Sequence, residues 1–247
     1  MAAKLKSITK QIHWSLLVKA AVFALAWFYL PFWLFLLVAL YLYFVPPFRA
    51  GKLAVFFFTL VILCFLAVPG WFMAFIFAAL FYYLLLVKEL LVIDRRSARI
   101  LLAMTLSFLL LRQFYFSFST GSAGSALMAA FFAAALLSLL LGNLIHNQVE
   151  SFSDIPGLPT KLSDIAKFPR VVTLMAFVFF AQCIVIGLFL PLNFIYQSVI
   201  VFLVVVIAID LIPERISGAL SPAKIKTTSI VVFAMLVLVL TSAKWGM

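Results

Sequence analysis

Few side chains in this sequence could take part in chemistry, and they gather in a few places. His146, Glu150 and Asp154 follow the sixth apolar segment at intervals of four. A helix continuing past the membrane there would carry all three on one face. One imidazole and two carboxylates on such a face are a candidate site for a divalent metal. The competing reading is a solvated loop, because Ser153, Pro156, Gly157 and Pro159 favour a helix stop.

Arg112 and Gln113 lie inside the fifth apolar segment, about six residues before a predicted outer turn, or roughly 9 Å below the helix end. A guanidinium at that depth suits an anion or a lipid phosphate; the alternative is an arginine snorkelling outward among Tyr115 and Ser117. The stretch Asp94-Arg95-Arg96-Ser97-Ala98-Arg99 reads as the most basic loop. Arg95, Arg96 and Arg99 would attract anionic headgroups at about 1 kcal/mol each, or act only in setting topology. Gln182 falls mid-span in the seventh segment, where an interhelical hydrogen bond is expected and a substrate contact is the alternative. Asp210 closes the eighth segment near Arg215, which predicts an interfacial ion pair, with proton coupling as the alternative.

These residues must be positioned by elements made for lipid. The 247 residues are 68% hydrophobic and 10% charged, with mean hydropathy +1.30. Soluble domains carry about 25% charged residues, and water could not cover this much apolar surface. The solvent is therefore lipid, and each span needs about 20 apolar residues. The net charge of +11 does not indicate nucleic acid. The basic residues sit at the ends of apolar segments, as the positive-inside rule requires, and form no compact face.

The apolar runs are too long for single crossings, and each is interrupted near its middle. Pro31 divides 14–46, Pro69-Gly70 divides 53–87, the Ser119–Ser125 stretch divides 100–145, and Pro191-Leu192-Asn193 divides 171–212. The predicted fold is all-α: a polytopic transmembrane helical bundle of about nine helices, arranged as four helical hairpins plus a C-terminal helix. The predicted helices are about 12–30, 31–46, 53–68, 71–88, 100–118, 126–146, 171–190, 194–212 and 228–243, within one integral membrane domain, 1–247. Helices 31–46 and 53–68 are short, so either could be re-entrant, giving eight spans in place of nine. Lys4, Lys6 and Lys10 before an apolar run resemble a signal peptide, but Lys19 interrupts that run, which predicts an uncleaved signal anchor.

The hairpin turns carry no charge, whereas the connections between hairpins carry nearly all of it. By the positive-inside rule those connections are cytoplasmic, with the N-terminus inside and the C-terminus outside, in a prokaryotic cytoplasmic membrane. Trp27, Tyr29, Trp33, Trp71, Tyr115 and Tyr196 mark an outer aromatic belt; Trp14, Tyr41, Tyr43, Tyr82 and Tyr83 mark an inner one. Ala126, Ala130, Ala134, Ser138 and Gly142 recur every four residues along the sixth helix. This stripe predicts close approach of another backbone, within the bundle or across a dimer interface.

Several classes are disfavoured. The two cysteines, Cys64 and Cys183, lie in mid-segment as packing thiols, with no zinc-type spacing. His13 and His146, the only histidines, are both near the inner surface and poorly placed for a bis-histidine haem. No carboxylate sits in mid-membrane for ion coupling, and none lies on the outer face for glycosyl transfer. Intramembrane prenyl transfer requires two acidic metal-binding motifs; Glu150-x-x-x-Asp154 is a poor match to one, and loop 46–52 has no acid for the other. No cofactor is expected. The sequence favours a non-enzymatic scaffold or subunit of a membrane assembly, with the lipid bilayer and other membrane proteins as partners. The alternatives are a lipid or small-molecule transporter or flippase, using Arg112 and the 94–99 arginines, and a cytoplasmic-face lipid-modifying enzyme centred on His146, Glu150 and Asp154.

Overall fold

In hydrocarbon every backbone N–H and C=O must be satisfied within the chain, which leaves the helix as the form open to these apolar segments. The computed structural model describes residues 2–45, 50–89, 95–120, 123–153, 169–216 and 220–243, and among these it contains nine helices and no strand. They are α1 (Ala2–Tyr29), α2 (Phe32–Phe44), α3 (Ala50–Leu66), α4 (Trp71–Glu89), α5 (Arg95–Thr120), α6 (Ala123–Ser153), α7 (Pro169–Leu188), α8 (Phe194–Ile216) and α9 (Pro222–Ser242). The protein is an all-α membrane bundle. Six helices, α4 to α9, are long and apolar enough to cross a membrane. The apolar parts of the first three are shorter: Trp14–Tyr29, Phe32–Phe44 and Leu53–Leu66. The 13 residues of α2 rise only about 20 Å, against a hydrocarbon core of about 30 Å.

The chain divides into two compact units, Met1–Ala98 and Arg99–Met247, with the boundary in the first turns of α5. In the first unit each helix packs on the next, and α4 returns to α1, closing a four-helix ring. Pro31 takes extended backbone (φ −61°, ψ 150°) between α1 and α2, so the break falls where the sequence places it. Aromatic pairs run through the ring: Phe23 stacks on Phe81 and Tyr43 on Phe57, with centroids 4.1 and 4.2 Å apart. The indole of Trp27 donates to the Cys64 carbonyl at 2.7 Å, tying α1 to α3.

In the second unit α6 lies closest to α7, and α8 contacts α6, α7 and α9. Helix α5 meets α7 and α8 through side chains: Tyr115 donates to the Ile184 carbonyl at 2.9 Å, and Phe108 and Phe116 pack edge-on against Phe202 and Phe194. Gly187 makes room for Tyr115; a Cβ there would collide with its hydroxyl oxygen. Gln197 closes the turn between α7 and α8 by donating to the Leu190 carbonyl at 2.9 Å.

Several ends differ from the sequence reading. The 119–125 stretch, read as a seven-residue break, is helical through Thr120 and again from Ala123. Hydroxyls in lipid can return their hydrogen bonds to their own helix, as Thr105 does to the Leu101 carbonyl, so a Ser/Thr run need not break a helix. Arg95, Arg96 and Arg99 belong to the first turns of α5 and not to a loop. Helix α8 continues past Pro213 to Ile216. Helix α9 starts six residues earlier than its apolar run, because Ser221 accepts from the Lys224 N–H at 3.2 Å and Pro222 fits the first helical position.

Candidate functional site

The densest polar constellation joins α8 to α9. Lys224 lies 2.9 Å from one carboxylate oxygen of Asp210 and 2.6 Å from Glu214, and Thr228 donates to the other Asp210 oxygen at 2.8 Å. Both oxygens of Asp210 are thereby engaged. The partners sit one helical turn apart on each helix, so the ladder sets the register of α9 on α8. At the opposite end the Tyr196 hydroxyl donates to the Ser242 carbonyl at 3.1 Å. Between these two fastenings α9 buries little: Val239 is its one buried residue. Phe233, Met235 and Leu238 face outward. The expected pairing of Asp210 with Arg215 is not the one formed; Arg215 is exposed and the ammonium of Lys224 takes its place. That lysine was hidden in the sequence because it precedes the apolar run.

Arg112 is half-buried in α5 and makes no ion pair among the described residues. With α5 extending to Thr120, it lies about 12 Å below the helix end, deeper than the sequence suggests. Its neighbour Gln113 is buried and has a partner. Arg99 lies 13 residues earlier on the same helix, about 20 Å away, so Arg112 and Arg99 do not converge on one point; the side chain of Arg95 lies outside the described residues. Arg96 and Arg99 each have an interaction of their own.

His146 is exposed on α6 and borders a groove with Ser138, Leu139, Thr173 and Phe177. The helix runs on to Ser153, so His146 and Glu150 stand one turn apart. The Glu150 side chain and Asp154 lie outside the described residues, and among the described ones no His, Cys, Asp or Glu cluster could hold a metal. On the same helix Ala130, Ala134 and Ser138 are buried, and Gly142 meets Thr173, whose hydroxyl oxygen would stand 2.5 Å from a Cβ at that position. The side chain of Ala126 lies outside the described residues.

Two lysines have partners that were not read from the sequence. Lys88 is inside α4 at 4% exposure and donates to the Tyr43 carbonyl. Lys19 pairs with Glu89 at 3.2 Å. Gln182 does not reach another described helix: it is exposed on α7. A groove of about 510 Å³ also runs between α1 and α4, floored by Ala20, Ala24, Ala74 and Ala78 and walled by Phe28, Trp71 and Tyr82. Compared with family models, curated proteins and solved structures, the chain matches none.

Proposed function

We propose that this protein is a non-enzymatic subunit or scaffold of a membrane assembly, and that α9 is the helix it offers to a partner protein. One observation carries the reading: a membrane-length helix is held in fixed register by the Lys224–Asp210–Glu214–Thr228 ladder while burying almost nothing of itself. Anchoring in lipid needs apolar length only. Register matters when a defined face must be shown to another helix. The orientation that goes with this reading is a cytoplasmic N-terminus and an external C-terminus in a prokaryotic cytoplasmic membrane, from the basic residues between hairpins.

Mass spectrometry of the protein purified in mild detergent tests it. A stoichiometric protein partner, lost with Lys224→Ala, supports the assembly reading. A chain that purifies alone, with wild type and variant alike, contradicts it.

Lipid handling is the second reading, favoured by Arg112, an intramembrane guanidinium without an ion-pair partner among the described residues. One enriched lipid class, lost on Arg112→Leu, is its signature in the same experiment.

A further inference from the structure

We infer that a second copy of this chain docks on the outward face of α7, with Gln182 of each copy at the centre of the contact. Val171–Leu188 is a membrane-length span, and Gln182 lies six residues from its outer end, about 9 Å down the helix. The apolar turn beyond it, Phe189-Leu190-Pro191-Leu192, puts water farther still. A glutamine side chain is too short to snorkel that distance. The other two glutamines in the spans of this unit are engaged: Gln113 has a partner, and Gln197 bonds the Leu190 carbonyl. Gln182 alone points outward, with no hydrogen bond to any described residue.

An amide carries two donors and an acceptor, and in hydrocarbon there is no water to meet them. Its best complement is another amide. Two copies related by a two-fold axis bring Gln182 against Gln182, each donating to the other, and both gain at once. The surrounding residues fit a helix–helix seam. Met175, Val178, Gln182, Ile186 and Phe189 are all exposed and follow one another at steps of three or four. That is the spacing of a packing seam, and a single polar residue within one fixes register and partner number. A hollow of about 360 Å³ beside Gln182, bordered by Met175, Val178 and Phe179, can receive the partner's side chains. The seam is uncharged, so nothing in it calls for a charged partner. This contact goes beyond the role given to α9 and uses a different helix.

Single-molecule photobleaching of the full chain in lipid vesicles, over a range of protein densities, measures the association directly. Wild type should dimerise as density rises. Gln182→Leu should weaken dimerisation about tenfold, while Gln182→Asn, which keeps the amide, should retain most of it. Lys224→Ala should leave the dimer unchanged, which separates this contact from any failure of the α9 reading. A photo-cross-linking residue at position 178 in the otherwise native chain should give a homodimer adduct, and this serves even if a Gln182 variant misfolds. A chain that stays monomeric at every density, a dimer indifferent to Gln182→Leu, or no homodimer adduct from position 178 overturns the inference.

Discussion

The ammonium of Lys88, near the end of α4, donates to the backbone carbonyl of Tyr43 in the last turn of α2 and lies 4.7 Å from the centroid of that residue's own ring. Carbonyls in the last turn of a helix lack intrahelical partners and sit at the negative end of its dipole, so a buried cation serves both needs. The aromatic face adds a cation–π contribution. Lys88→Met keeps the length of the side chain and removes the donor. It should destabilise the first unit by roughly 1–3 kcal/mol, seen as a lower thermal midpoint and faster amide exchange in α2 and α4. Unchanged exchange there would mean that the contact holds nothing.

Gly187 and Tyr115 form a second constrained pair. Gly187→Ala should force the tyrosine out of place and destabilise by about 1–3 kcal/mol. Tyr115→Phe removes the hydroxyl that a Cβ would strike. The double variant should therefore lose less stability than the sum of the two single ones, and a double-mutant cycle measured by thermal unfolding reads the difference. Additive losses would show that the two positions do not meet.

Ser107 is fully buried in α5, and its hydroxyl oxygen has no hydrogen-bond partner among the described residues. An unsatisfied buried hydroxyl opposes folding. Ser107→Ala should thus leave stability unchanged or raise it by up to about 1 kcal/mol. A clear loss of stability would point to a partner that binds there.

Much of the fold was legible because lipid makes hydropathy decisive. Pro31 and Pro69-Gly70 could be placed as turns from ring geometry and turn chemistry alone. At the 119–125 stretch only the helix ends were misjudged, by two residues on one side and three on the other, since its residues break helices in water more readily than in hydrocarbon. The site was less legible. Lys88 and Lys224 sit where topogenic charges sit, and only the arrival of α2 or α8 beside them reveals a structural task. Gln182 was visible as a mid-span amide, but the face of α7 it occupies depends on which side α6 covers, and no local pattern states that.

Orientation has its own check. A cysteine at position 122 should react with an impermeant reagent from outside the cell, and one at position 97 only after the membrane is opened. The reverse pattern would place the basic connections outside and remove the basis for a cytoplasmic N-terminus.

The proposed role of α9 is tested most directly by photo-cross-linking in intact membranes from position 233, a Phe at 66% exposure on the bare side of that helix. The expected result is one discrete protein adduct that disappears when Lys224→Ala breaks the ladder to Asp210 and Glu214. Adducts with lipid alone, or an adduct indifferent to Lys224, would contradict the view that the ladder exists to present α9 to a partner.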